Sequence, residues 1–222
     1  MKSVKVEMIH DLVCSWCPIG YNNLKRAANS LGDRIETNIR FLPFELNPEM
    51  PAEGEDIAHL MHRRMGMGEK QIKEYRRNLI SVGEAAGVHF DFSKRTHYYN
   101  TRVGHLVMHW AESKGKQLEL NEALIPAYFS EGKNVGDMRV LNDILSSIGL
   151  DGDEAKEALH KDAFSQSFKI KQQRVATLGV RSIPAFIVND KRLVSGSHSV
   201  EFFKEMLIRE ATAGTELETN AA

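Results

Sequence analysis

The stretch Val4-Lys5-Val6-Glu7-Met8-Ile9-His10-Asp11-Leu12-Val13-Cys14-Ser15-Trp16-Cys17-Pro18-Ile19-Gly20 decides how this chain folds. Its first half alternates Val4, Val6 and Met8 with polar neighbours, the period-two pattern of a strand. Its second half turns at Cys14-Ser15-Trp16-Cys17 and enters a helical spacing carried by Ile19, Leu24, Ala27, Ala28 and Leu31, which stops at Gly32. Pro18 is tolerated there, because the first turn of a helix has no intrahelical use for the missing N–H. Ile35, Thr37, Ile39 and Phe41 then alternate as a second strand. Two strands joined by one helix make a right-handed βαβ unit, with the cysteine pair at the carboxyl end of the first strand. Parallel α/β sheets hold their ligand and catalytic sites at that edge.

Cys14 and Cys17 are the only two cysteines in the chain. A two-residue spacer lets both sulfurs meet at the first turn of a helix, where unpaired N–H groups and the positive end of the macrodipole favour a thiolate. That lowers the pKa of the more exposed thiol, Cys14, and makes it a nucleophile toward disulfides. Cys17, one turn further in, is then the thiol that resolves the mixed disulfide. A zinc site needs four ligands, and no second CxxC or His-x-x-x-His follows. A structural disulfide here closes too short a loop to constrain the unfolded chain much. Redox or thiol catalysis is the remaining reading, with no metal and no cofactor called for. The His59, Met61, His62, Met65, Met67 group reads as core rather than metal site, with Ile57, Met61 and Met65 at helical spacing.

At 222 residues the chain is long enough for one large domain or a domain with a substantial insertion. Lys+Arg 29 against Asp+Glu 30 leave a net charge of −1, which gives no global pull toward nucleic acid or an anionic membrane. The first residues carry no long apolar run with a cleavage site, and no stretch is apolar enough to span a bilayer. A cytoplasmic protein is expected, the setting in which a CxxC is more often catalytic than structural.

From Pro51 to Leu150 the pattern is almost wholly helical: Ile72, Tyr75, Leu79, Val82 and Ala86 form one stripe, Val103, Val107 and Trp110 another, and Met138, Leu141, Leu145 and Ile148 follow an N-cap at Asp137. A run of this length is an inserted helical subdomain rather than a loop. A long helix carrying Phe164, Phe168, Val175 and Leu178 comes next and closes at Gly179. Ala185–Val188 and Arg192–Ser195 flank Asn189-Asp190, a hairpin turn signal. A final helix carries Val200, Phe203, Met206 and Leu207. Before the hairpin, Pro184 in Arg181-Ser182-Ile183-Pro184-Ala185-Phe186 opens a strand, a position that tolerates a residue unable to donate to the ladder.

These features together resemble the thioredoxin-fold DsbA family: an N-terminal βαβ with CxxC opening the helix, a helical insertion, and Gly-Val-x-x-Ile-Pro-x-Phe before a hairpin and a last helix. Within it, Asp11-Leu12-Val13-Cys14, Leu46-Asn47-Pro48-Glu49-Met50-Pro51, Asn100-Thr101 with His105, and Gly179 through Phe186 resemble the FrnE-like branch of dithiol oxidoreductases. The resemblance spans roughly residues 4 to 208. It implies an α/β, thioredoxin-like fold with a large helical insertion: a discontinuous domain over 1–50 and 151–210, a helical subdomain over 51–150, and a flexible tail over 211–222. It implies that Pro184 is a cis-proline facing the sulfurs and that the Ile183 backbone offers a substrate strand-like hydrogen bonds. Ser15, Trp16 and Pro184 would tune the redox pair; Ser15 stands where many relatives carry proline. Trp16 is read as exposed beside Cys14. Asn100, Thr101 and His105 either line the cleft over the cysteines and touch substrate, or cap a helix and pack. Asp11 either acts on the thiols by its charge or caps backbone N–H groups.

The resemblance implies thiol or disulfide substrates, protein or small molecule with glutathione among them, acting on a monomer or homodimer. A sister branch, the 2-hydroxychromene-2-carboxylate isomerases, supplies the alternative of a glutathione-dependent isomerase or transferase. Retention of both cysteines favours redox chemistry, since isomerisation has no use for a resolving thiol.

Overall fold

The structure, a computed structural model, describes residues 2–219, with side chains described over residues 2–213. In chain order the elements are β1 (Lys2–His10), α1 (Trp16–Leu31), β2 (Ile35–Pro43), β3 (Glu55–Asp56), α2 (Ile57–Met65), α3 (Glu69–Ala86), β4 (His97–Tyr98), α4 (Arg102–Ser113), α5 (Gln117–Phe129), α6 (Met138–Ser147), α7 (Gly152–Leu159), α8 (Asp162–Thr177), β5 (Ala185–Val188), β6 (Arg192–Ser195) and α9 (Val200–Thr219). Four strands form the central sheet in the order β2-β1-β5-β6. β1 runs parallel to β2, from Lys2 opposite Ile35 to His10 opposite Pro43, and β5 runs antiparallel to both β1 and β6. This is a thioredoxin-like sheet, and a helical block is inserted between β2 and α8.

β1 is central and therefore buried on both faces, which is why its apolar run becomes continuous at Met8 and Ile9. Val4, Val6 and Met8 face the layer of α1 and α9, joined there by Leu24, Phe186 and Phe203. Ile9 faces the opposite layer with Leu42, Ile187 and Val175 of α8. The hairpin turn has positive φ at Asn189 and Asp190 (48° and 58°) and is closed by the Lys191 N–H donating to the Val188 carbonyl at 3.1 Å, with Lys191 the third residue between the paired Val188 and Arg192.

The inserted block departs from the expected all-helical reading in three places. Residues 88–98 leave the helical pattern, and β3 and β4 pair as a two-residue ladder that ties both ends of the α2–α3 unit together. α7 begins beyond the expected boundary at 150 yet packs on α4 and α6, so it belongs with the block. Met65 is exposed, not core: α2 is short and ends at left-handed Gly66, so only Ile57 and Met61 reach the apolar cluster with Ile72. At the other end of the chain, Ala211, where the expected tail begins, is buried in the main core and extends the packed face of α9. The last three residues of the expected tail, 220–222, lie outside the described residues.

Gly104 of α4 sits where the block meets the sheet domain. A Cβ there would lie 2.5 Å from Leu12 Cδ1 and 2.6 Å from the Val135 carbonyl oxygen, and the second of these is backbone that cannot swing aside. Gly104→Ala is expected to lose about 1–3 kcal/mol, the usual cost of overpacking a tight contact. Urea unfolding measures it; stability equal to or above that of the wild type contradicts the close approach.

Candidate active site

The turn between β1 and α1 is fixed from within and without. The Cys14 N–H donates to the Asp11 carbonyl and the Cys17 N–H to the Cys14 carbonyl, each at 3.1 Å, which winds the loop directly into the first turn of α1. From outside, the Leu46 N–H donates to Asp11 Oδ2 at 2.7 Å, and His105 Nε2 of α4 lies 3.3 Å from Asp11 Oδ1. The Arg95 guanidinium donates to the Val13 carbonyl at 3.1 Å.

Arg95 was not foreseen from sequence. Its side chain is 1 % exposed and stands over the rings of Tyr128 (4.8 Å), Phe129 (4.9 Å) and Tyr98 (5.4 Å), so aromatic faces rather than water solvate the cation. Arginine is ordinarily a surface residue, and nothing at position 95 itself signals otherwise. The legible hint is the aromatic density around it, Phe90, Phe92, Tyr98 and Tyr99 within ten residues.

Both cysteines are free thiols, Cys14 7 % exposed and Cys17 2 %. The Cys17 thiol, hydrogen-bonded to the Cys14 sulfur, holds the Cys14 thiol below its ordinary range; burial opposes this, while the N–H groups of Trp16 and Cys17 at the start of α1 assist. Burial pushes Cys17 well above its ordinary value, reinforced by its hydrogen bond to Cys14 and by the charges of Cys14 and Asp11. Two chemically identical side chains thus become unlike: one predisposed to be a thiolate, the other held protonated against it.

Facing them, the Ile183 carbonyl lies 3.9 Å from Cys14 Sγ. The Ile183–Pro184 peptide bond is cis, and the Pro184 carbonyl accepts from the Gly196 N–H at 2.8 Å. α1 can come this near because residue 20 is glycine: a Cβ on Gly20 would stand 3.1 Å from Pro184 Cγ and 3.3 Å from Phe186 Cζ. Ser15 occupies the N-cap position of α1 but is buried and makes no capping bond. Trp16 is half-buried rather than exposed, because its ring packs against the main core, as does Tyr75 of α3.

The three residues expected over the cleft have other engagements. Asn100 Nδ2 donates to the carbonyls of Pro48 (3.1 Å) and Met50 (2.9 Å), and its Oδ1 accepts from the Arg102 N–H, capping α4. Thr101 and His105 are buried, and His105 Nε2 also approaches the Phe44 carbonyl at 3.1 Å. Burial withdraws both from solvent, which favours the packing reading over substrate contact, and His105 braces the loops that carry Asp11 and Phe44. Asp11 meets both of its readings, since it accepts a backbone N–H and its charge acts on both thiols. Among the described residues no group of three or more His, Cys, Asp or Glu side chains is arranged to hold a metal ion.

Comparison with known proteins agrees with this geometry. The DSBA-like thioredoxin domain model matches residues 5–207, and the chain belongs to that family. An uncharacterized protein of Bacillus subtilis (strain 168), YwbO, is 23% identical over 209 residues, covering 92% of this chain and 96% of the relative. A probable DsbA oxidoreductase of Streptomyces coelicolor superposes with a TM-score of 0.83 at 24% identity, over 93% of this chain and 89% of that one. The cytosolic disulfide reductase DsbM of Pseudomonas aeruginosa, solved with GSH, superposes with a TM-score of 0.62 at 16% identity, over 96% and 99% of the two chains.

The unlike thiols predict unlike reactivity. Thiolate is the reactive form, and a lowered pKa means that it is present at lower pH, so alkylation of the reduced protein should modify Cys14 first, with a midpoint below the ordinary thiol range. Cys17 should react only at much higher pH or on unfolding. Peptide mapping across pH tests this, and earlier modification of Cys17 contradicts it.

Proposed function

We propose that this member of the DSBA-like thioredoxin domain family is a dithiol–disulfide oxidoreductase, of the FrnE-like branch, in which Cys14 attacks and Cys17 resolves. The observation that carries the reading is the inequality of the two touching thiols at the start of α1. Cys14 as thiolate attacks one sulfur of a substrate disulfide; a Cys14–substrate disulfide forms and the first substrate thiolate leaves. Cys17, deprotonated, then attacks Cys14 Sγ, the Cys14–Cys17 disulfide forms, and the second substrate thiolate leaves. The substrate gains two electrons and the protein loses them; the reverse sequence oxidises a dithiol.

Substrates are thiols or disulfides, and glutathione is the small-molecule candidate, since DsbM of the same fold was solved with GSH. A cytoplasmic setting fits a fold relative named as cytosolic. Independently of that, no helix among the described residues is long and apolar enough to cross a membrane. The glutathione-dependent isomerase reading has less support here, because it gives no task to Cys17, which is buried against Cys14 and tunes it. Ser15 and Trp16, between the cysteines, and Pro184, opposite them, are the residues set to tune the pair, and the Ile183 backbone is the one set to meet the substrate chain.

Cys17→Ser should accumulate a mixed disulfide between Cys14 and glutathione after exposure to glutathione disulfide, whereas Cys14→Ser should trap almost none. Intact-mass spectra decide between the roles; equal adducts on the two variants contradict them.

A further inference from the structure

The redox reading leaves one step without a route. Cys17 is 2 % exposed and protonated, yet it must lose its proton to attack, at the moment when a substrate joined to Cys14 covers the open side of the pair. Three cavities run the other way. A small one of about 10 Å³ touches Cys17, His10, Asp11 and Asn121, and neither Cys14 nor Ile183 lines it. A second small one, again about 10 Å³, lies against His10, His105, His109, Gln117 and Lys171. His109, Gln117 and Lys171 also wall an open cleft of about 630 Å³. His10 is thus shared by the two small cavities, and His109 by the second cavity and the cleft.

The polar atoms along this line have unused capacity. His10 Nε2 and Asn121 Nδ2 are buried with no hydrogen-bond partner in the protein, and Asp11 Oδ1 and His109 Nδ1 have only the approaches to His105 and Glu112. Four of the eight such atoms among the described residues lie along this line, and buried polar atoms ordinarily have a partner, protein or water. Each small cavity is about the size a single water needs, and the first offers it several polar partners.

We propose that the Cys17 proton leaves through these cavities: from the thiol to a water in the first, to His10 Nε2, through the second to His109, and out at the cleft. The inference rests on the redox reading above. In the step itself the Cys17 sulfur bonds to Cys14 Sγ, the Cys14–substrate S–S bond breaks, the substrate leaves as a thiolate, and the Cys17 proton passes to His10. With glutathione disulfide as oxidant, both electrons end on glutathione sulfur, and the proton released at the cleft is the one that solvent returns to a leaving thiolate. Burial, with His105 adding to it, holds His10 well below 6.5, so it rests neutral with a bare ring nitrogen and passes a proton on rather than keeping it. The groups facing His10 are Asp11 on its own strand's end, Cys17 and Tyr21 from α1, His105 and His109 from α4 and Lys171 from α8; α5 contributes the uncharged Gln117 and Asn121. His109 Nε2 is hydrogen-bonded to Ser167 Oγ at 2.8 Å, and its Nδ1 lies 3.7 Å from the Glu112 carboxylate at the cleft, a partner for the arriving proton.

The test separates the two chemical steps. Reduced protein is mixed with glutathione disulfide and acid-quenched at intervals, and mass spectrometry follows formation and decay of the Cys14–glutathione adduct. His10→Gln keeps hydrogen-bonding capacity but does not carry a proton, so it should leave adduct formation unchanged and slow its decay about a hundredfold, the usual worth of a positioned proton acceptor. Asn121→Leu, which fills the first cavity with an apolar side chain, should do the same. In the wild type, decay but not formation should slow in D2O. Decay at the wild-type rate in a folded His10→Gln protein overturns the relay, as does wild-type decay that is equal in H2O and D2O; the D2O arm stands even if the variants fail to fold. If the wild type forms no adduct at all, the redox reading falls and takes the relay with it. Adduct that forms normally and decays normally in His10→Gln sinks the relay alone.

Discussion

The backbone from Asp11 to Cys14 is gripped by three parts of the molecule distant in sequence: Leu46 after β2 and His105 on α4 through the Asp11 carboxylate, and Arg95 through the Val13 carbonyl. Everything chemical about the site depends on that grip. The loop delivers Cys14 to the start of α1 with its sulfur beside two helix N–H groups and the Cys17 thiol, and it leaves Cys17 beneath, out of water. Removing the Arg95 contact strands a buried carbonyl, a loss on the order of 1–3 kcal/mol placed directly before the nucleophile.

This grip also explains why the helical block is part of the active site rather than an appendage. Two of the three clamps, Arg95 and His105, come from it, and Asn100 ties its α4 to the loop carrying Pro48 and Met50. Tyr75 of α3 and Trp16 pack against the same core. The sheet domain supplies the sulfurs and the Ile183 carbonyl, and the block sets the shape and dielectric around them, which are the two factors that separate the thiols.

The sheet domain was legible in sequence because its signals are local. Alternation in Val4-Val6-Met8 and in Ile35–Phe41, the stop at Gly32 and the Asn189-Asp190 turn each act within a few residues. The cysteine pair was legible for the same reason. Arg95 was not, since its burial is decided by Tyr128 and Phe129, some thirty residues away. His10 closes an apolar strand and looks like an ordinary strand end until Asn121 and His105 arrive around it from other helices. The β3–β4 ladder has only two residues on each side, too few for any period to show. The burial of His105 is likewise decided by distant partners, Asp11 and Phe44.

Cys14 and Cys17 are proposed to work as one reversible redox couple. Equilibration of the protein across glutathione buffers of graded ratio, followed by acid quench, alkylation and mass spectrometry, measures this directly. A single two-electron transition is expected between the dithiol and an intramolecular Cys14–Cys17 disulfide, with mixed disulfide a minor species throughout. A protein that ends as a glutathione adduct on Cys14, with Cys17 still a thiol at the most oxidising ratio, would contradict it.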